Sequence, residues 1–351
     1  MQQTFEYYIV DPSTWKDRKR VDNVISSTIN RDLSAETLGS ASINITESLG
    51  ECYIRIYLVT IQNGVREKHP LGTFLVQTPS YGFDGKIRNV TMDAYTPLLE
   101  LKENQPPLGY FIPKDTNILN MAYRLVRENA RAPVVETTSD NKLYVNFIAN
   151  SDDTWISFVN DLLSNIDYSL YLDDVGRVLF TPNQELNTLQ PIWTYDDSNS
   201  SILYPDLNIE HDLYGIPNVV EVVYSNGGQF YYARAINDDP SSMVSVRNRG
   251  REITRRISDP ALSSTPDQNE VQQYAERVLR ELSSIEYTVS YTHGYCPVRI
   301  GDCVRLNYAK AGLQGVNAKV ISQSIKCEPG CPVTEKATFT VDLWRGLNGS
   351  I

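Results

Sequence analysis

The stretch that begins at Gly50, GECYIRIYLVTIQNGVREKHPLGTFLVQTPSYGFDGKIRNVTMDAY, has a counterpart that begins at Gly301, GDCVRLNYAKAGLQGVNAKVISQSIKCEPGCPVTEKATFTVDLW. Each opens on Gly, an acid and Cys, enters a strand, crosses a polar turn containing Gly, and closes on a strand of one type, VTMDAY or FTVDLW. The segments just before them, SASINIT and IEYTVSYT, match in character too. Self-similarity of this kind constrains a fold more than any single motif, because each copy has to be the same supersecondary unit. The expectation is two related β-barrel domains, with Cys52 and Cys303 at equivalent positions where the same strand begins.

The material between and around the copies sets the rest of the architecture. ASINIT (41–46), YIRIYLVT (53–60), GTFLVQT (72–78) and IRNVTMDAY (87–95) are rich in β-branched and aromatic residues, as strands are. Asn63-Gly64 and Asp84-Gly85 are hairpin dipeptides, and Leu49-Gly50-Glu51 is a turn signal. The proline-rich ENQPPLGYFIP (103–113) marks a boundary. Beyond it, Asp115 or Thr116 can cap a helix whose apolar face is Ile118, Ala122, Leu125 and Val126. A second helix, 152–166, spaces Trp155, Phe158, Val159, Leu162 and Ile166 on one side, and 168–182 reads as a hairpin. Strands return at 218–225 and 228–236 around Asn226-Gly227-Gly228. After an irregular polar stretch, a helix over 267–284 carries Val271, Tyr274, Val278 and Leu282, with Thr265-Pro266 as its start. The fold class is therefore α+β, mainly β. The domains expected are a first β-barrel at 1–112, an α+β domain at 113–204, a second barrel at 205–236 plus 285–346, and an insertion with one helix at 237–284. Tyrosine outnumbers phenylalanine, 22 to 9, which suits sheet faces and subunit interfaces.

Charge narrows the function. Asp plus Glu number 43 against 32 Lys plus Arg, a net charge of -11. A general nucleic-acid binder draws most of its affinity from phosphate contacts and is basic. An acidic chain can still line a passage through which DNA must slide. No apolar run reaches the roughly 18 residues of a membrane span, and the N-terminus shows no signal-peptide pattern. A soluble protein made in a cytoplasm is expected.

Candidate chemistry centres on HGYCPVRIGDCVRLNY and CEPGCP. His293, Cys296, Cys303, Cys327 and Cys331 crowd there, four of the chain's five cysteines. The His-x2-Cys and Cys-x3-Cys spacings permit a zinc site, a Cys327–Cys331 disulfide can bridge the Glu-Pro-Gly turn, and unpaired cysteines within β-structure are the third reading. No metal, cofactor or catalytic residue is assigned: the serine-nucleophile elbow, the zinc-protease helix motif and the phosphate loop are all missing from the sequence. A Cys296–His293 pair is the remaining nucleophile candidate. The Asp-Asp pairs at 152–153, 173–174, 196–197 and 238–239 fall in turns or helix starts, where Asp is favoured structurally. The run VRNRGREITRR carries Arg247, Arg249, Arg251, Arg255 and Arg256, either a solvated face or a docking patch for an acidic neighbour.

Two barrels, an α+β insert, a helix-bearing insert, the LGTFLV strand and PVRIGDCVRL with its RIGD turn together resemble one family. It is the central baseplate hub protein of contractile-tailed phages, with the related hubs of R-type bacteriocins and type VI secretion. The resemblance implies a virion protein of the tail baseplate, assembled in the host cytoplasm and without catalysis. It further implies a homotrimer whose six barrels form a pseudo-sixfold ring. That ring would join the hexameric tail tube protein to a trimeric central spike protein, contact tape measure and baseplate wedge proteins, and let DNA pass without specific binding. A tail-associated cell-wall hydrolase and a glycan- or receptor-binding tail-tip protein are the alternatives.

Overall fold

The computed structural model describes residues 2–340 apart from 84, 86–87, 185, 187, 199–200, 212, 227–228, 259, 261–266 and 284–285. The chain opens with β1 (Gln2–Val10), β2 (Asp17–Val21) and β3 (Val24–Asp32), followed by β4 (Gly39–Ile45), β5 (Tyr53–Gln62), β6 (Val65–Phe83) and β7 (Arg88–Tyr95). Asn63 and Gly64 join β5 to β6 with φ of 51° and 79°, the double positive φ that a two-residue hairpin of this hand requires. Ile54, Ile56 and Leu58 alternate along β5 toward a core shared with Ile43, Ile45, Val90 and Met92, and all seven are almost wholly buried. Both faces of β5 are buried from Tyr53 to Val59, but only one is aliphatic, and a one-residue slip would bring Arg55 and Tyr57 into this core in place of Ile54, Ile56 and Leu58.

The next segment holds α1 (Leu99–Glu103), β8 (Phe111–Ile112), α2 (Ile118–Asn129), β9 (Phe147–Ile148), α3 (Trp155–Ser164), β10 (Tyr168–Leu172) and β11 (Val178–Pro182). The predicted stripe of α2 is buried as expected, and on α3 Trp155, Phe158, Val159 and Leu162 enter the same core. The cap of α2 is Asn117, whose side chain accepts from the Asn120 N–H at 2.9 Å. Asp115 and Thr116 are used one turn earlier. The Asp115 N–H donates to the Leu143 carbonyl and the Thr116 hydroxyl to that of Pro113. Thr154 and Ser157 form a reciprocal capping box on α3.

The remaining elements are β12 (Trp193–Asp196), β13 (Leu203–His211), β14 (Val219–Asn226), β15 (Gln229–Ile236), α4 (Val246–Arg249), β16 (Thr254–Ser258), α5 (Gln268–Leu282), β17 (Glu286–Gly294), β18 (Cys303–Tyr308), β19 (Leu313–Lys326) and β20 (Pro332–Thr340). Among the described residues thirteen strands join one sheet. Its path is β13-β17-β20-β19-β3-β4-β7-β6-β5-β1-β2, with β18 beside β19 and β12 beside β18. The repeat is explicit in that order. The first copy runs β4-β7-β6-β5 and the second β17-β20-β19-β18, each ordered first, fourth, third, second along its own sequence. The two copies are joined edge to edge where β19 pairs with β3.

The structure moves the equivalence of the copies by one residue. The Val76 N–H donates to the Cys52 carbonyl and the Val320 N–H to the Asp302 carbonyl, each at 2.9 Å. Core-facing Ile54 and Ile56 then match Val304 and Leu306, so Cys303 corresponds to Tyr53 and Cys52 to Asp302. The inward-facing periodicity, not the shared Gly-acid-Cys letters, sets the alignment.

The chain divides into two compact units: residues 2–207 with 290–307 and 317–337, and residues 208–289 with 308–316 and 338–340. In the second unit β14 and β15, which the sequence reading placed in the second barrel, pair with β16 in a sheet of their own. Val220, Val222, Ala233 and Ala235 pack there against Val271, Ala275 and Leu279 of α5. Tyr274 and Val278 are half-buried and Leu282 is exposed, so the buried stripe lies to one side of the predicted one. Asp267 caps α5, accepting from the Glu270 N–H at 2.8 Å; Thr265 and Pro266 lie outside the described residues.

Candidate functional site

The predicted Cys/His cluster separates into two places within the first unit. His293 on β17, Cys296 just after it, Tyr195 on β12, Tyr291 on β17 and Glu335 on β20 come together in one buried polar network. His293 Nε2 lies 3.2 Å from Glu335 Oε1, and both side chains have no exposed surface. Tyr291 donates to Glu335 Oε2 at 2.8 Å, and Gln323 Nε2 donates to Glu335 Oε1 at 2.5 Å and to the Val298 carbonyl at 2.8 Å. The Tyr195 hydroxyl lies 3.0 Å from both His293 Nε2 and Cys296 Sγ.

The network holds charge. Burial by itself lowers the His293 pKa, but hydrogen bonds with Cys296 and Glu335 and the Glu335 charge outweigh it and hold it near 10. For Glu335 burial acts upward, and His293, Gln323 and Tyr291 overcome it and bring the carboxyl below its usual range. The imidazolium spends one N–H on Glu335 and the other, at Nδ1, on the Gly294 carbonyl at 2.6 Å. Cys296 Sγ is 3.8 Å from Nδ1 and Glu335 lies on the opposite ring nitrogen, an order that looks like a nucleophile, base and orienting acid. Two features oppose that use. Cys296 is only 4% exposed, and the Nδ1 proton points at a carbonyl. The arrangement suits a closed structural network that locks β12, β17 and β20 together.

Cys327 and Cys331 sit apart from it. Both are free thiols packed in the core of the first copy. Burial raises their pKa values to about 11 and 12, so they stay protonated and unreactive at neutral pH. Cys303 is buried at the start of β18, and Cys52 is half-buried. Among the described residues no group of three or more His, Cys, Asp or Glu is placed to hold a metal ion.

The second feature is the seam between the copies. Ser322 to Lys326 of β19 pair antiparallel with Asp32 to Thr28 of β3, with Ile325 opposite Ile29. Backbone bonds extend it at both ends, Leu33 N–H to the Ile321 carbonyl and Cys327 N–H to the Ser27 carbonyl, each at 2.9 Å. Arg31 ties it to both neighbours, donating to Gln323 Oε1 at 2.9 Å and to the Leu71 carbonyl at 2.7 Å. Gln323 thus links seam and buried network. Beside the seam, the turn between β10 and β11 is pinned to the first copy: the Val175 carbonyl accepts from Trp15 Nε1, Arg55 Nη2 and the Thr73 hydroxyl at 2.8, 3.1 and 2.8 Å. Gly176 has φ of 78°, and a Cβ there would stand 2.8 Å from Thr73 Cβ. A cavity of about 580 Å³ opens here, where Arg31 and Arg299 face Asp174. Its charges neutralise one another, which gives little basis for selecting a ligand.

The predicted arginine patch is divided in the second unit. Arg247 and Arg249 lie on α4, Arg255 and Arg256 on β16, with Arg251 between. Arg249 donates to the Leu213 and Ile216 carbonyls, Arg256 pairs with Glu221 at 2.8 Å, and Arg247 lies 3.8 Å from Asp238. Arg251 and Arg255 are exposed.

No protein-family model matches the chain, and no curated protein matches it in sequence. Solved structures do match. The tail protein from Neisseria meningitidis MC58 superposes with a TM-score of 0.66 at 12% identity, covering 99% of each chain. The 43 kDa tail protein of prophage MuSo2 from Shewanella oneidensis gives 0.66 at 10% identity, covering 96% of this chain and 98% of that one. A chain of the Francisella PdpA–VgrG complex gives 0.56 at 8% identity over 96% of this chain, which spans 52% of its length. The chain has the fold of these tail and VgrG-complex proteins.

Proposed function

We propose that the chain is a structural hub of a phage-type tail baseplate. Three copies, each contributing two copies of the repeat, form a pseudo-sixfold ring beneath a hexameric tail tube and above a trimeric central spike. The ring continues the channel, where tape measure protein and DNA pass, and wedge proteins contact its outside. The observation that carries this is the seam: two copies of one strand order, β4-β7-β6-β5 and β17-β20-β19-β18, are joined edge to edge through β3 and β19. A chain that already places two equivalent units side by side matches a sixfold partner on one face and a threefold partner on the other. The net charge of -11 fits a bore that repels phosphate. The polar network and the seam act as scaffolding and no catalytic step is assigned. Arg251 and Arg255 offer contacts to acidic neighbours. Sedimentation of the purified chain, alone and with its spike, tests the reading: trimer is expected, and a monomer in both samples overturns it.

A further inference from the structure

The seam inside one chain has an unfilled counterpart. In the second copy, β19 pairs along one edge with β18 through its first part and with β3 through Ser322–Lys326. In the first copy, β6 pairs with β5 only from Val65 to Leu75. Beyond Leu75 its described strand neighbour is β7, and among the described residues no strand stands on that edge where β3 stands in the second copy. The equivalent of β3 is β13, which among the described residues ends the sheet with β17 as its single strand neighbour. The two sequences agree: INRDL at 29–33 matches IEHDL at 209–213. Equivalent bonds also mark their starts, Thr46 N–H to the Asn23 carbonyl and Gly294 N–H to the Ile202 carbonyl.

We infer that β6 of one copy of this chain pairs with β13 of a second copy, in the register that β19 keeps with β3. This rests on the hub reading and names the surface that closes the ring. Val76 matches Val320, and beyond them Ser80, Tyr81 and Gly82 match Ser324, Ile325 and Lys326. On the other strand Asn208, Ile209 and Glu210 match Thr28, Ile29 and Asn30. The register is then Ser80 opposite Glu210, Tyr81 opposite Ile209 and Gly82 opposite Asn208. Exposure supports it independently. Ile325 and Cys327 are 1% and 7% exposed in the seam, whereas their counterparts Tyr81 and Phe83 stand 54% and 73% exposed. Pairing edge to edge is the standard way such strands bury themselves. Pro79 takes the place of Gln323 and brings an acceptor but no N–H, so the ladder between chains is one bond shorter than the one within a chain. The two edges differ, so the contact is head-to-tail, the class of contact that builds a ring when its rotation closes.

Disulfide trapping tests the register. Ser324 Oγ and Asn30 Oδ1 touch at 2.9 Å across the seam, in a pair that exchanges no backbone bonds, where Cβ atoms approach most closely. Their counterparts are Ser80 and Glu210. Under mild oxidation the double variant Ser80→Cys, Glu210→Cys is expected to give covalent oligomers up to the trimer on non-reducing gels. A mixture of the two single variants should stop at dimers, and each single variant should give none. Ser80→Cys with Asn208→Cys, out of register, should cross-link at least tenfold more slowly. Cross-linking by Ser80→Cys alone, or equal rates for the two double variants, overturns the inference. A sedimenting trimer without the in-register cross-link rejects this pairing while the hub reading stands. A monomer that does not cross-link rejects both.

Discussion

Replacing Glu335 with Gln keeps the shape of the buried network and removes its negative charge. His293 then sits in a site with no exposed surface and no counter-ion, and Tyr291, Gln323 and Tyr195 lose a carboxylate acceptor. Breaking a buried ion pair from one side costs about 3–5 kcal/mol. At about 2–4 °C per kcal/mol for a unit of this size, that lowers the melting temperature by roughly 6–20 °C. The pH dependence identifies the cause. The folded His293 pKa, about 10, is above its unfolded value, so its contribution is full below an unfolded value of about 6.5 and is lost as pH rises through 10. The folded Glu335 pKa is depressed, so its contribution is present above an unfolded value of about 4.3 and is lost as pH falls through the folded one. The gap between wild type and Glu335→Gln should therefore be widest near pH 5–7 and narrow toward both acid and alkali. Calorimetry across pH 4–10 measures it. A gap below about 1 kcal/mol at pH 6, or one independent of pH, would refute the ionic account of the network.

Three further outcomes follow from the geometry. Gly176→Ala places a methyl against Thr73 at a positive φ and should destabilise the first unit by about 1–3 kcal/mol in denaturant titration, while Gly64→Ala, in open space, should cost only the backbone strain. Alkylation followed by intact mass should find five thiols in denaturant without reductant and at most Cys52 modified in the native chain; three thiols in denaturant, with Cys327 and Cys331 unlabelled in the peptide map, would show that the two are bridged. Arg249→Ala should cost about 1–3 kcal/mol through two orphaned carbonyls, whereas Arg255→Ala, an exposed position, should leave melting within about 0.5 kcal/mol.

Much of this architecture is legible in the sequence because burial imposes a period. The stripes of α2 and α3, the hairpin at 168–182 and the strands of the repeat all announce themselves through alternating or helical apolar spacing. The rest is hidden for distinct physical reasons. β16, with the sequence TRRIS, is an exposed strand whose place is set by Val219 to Val223 of β14 beside it and by the Arg256–Glu221 pair, so no apolar alternation betrays it. The hairpin 219–236 has strand character, but local sequence cannot say which sheet it joins. β1 and β3 carry a readable alternation, as Phe5, Tyr7 and Ile9 or Ser27 and Ile29 show, weaker than that of the strands of the repeat. The His293–Glu335 pair was illegible for a different reason. Its members are far apart in sequence, and only the return of β20 alongside β17 brings the carboxylate to the imidazole. Cys327 and Cys331 have the spacing of a bridged pair, yet their surroundings are apolar and hold them as thiols.

The central claim is that two repeats per chain become six in the assembly. Electron cryo-microscopy of the purified protein, viewed down the assembly axis without imposed symmetry, measures this directly. Three chains in a closed ring are expected, with six equivalent sheet units joined alternately by the seam within a chain and the β6–β13 pairing between chains. A monomer, an isologous dimer, or a ring in which β6 and β13 lie apart would contradict it.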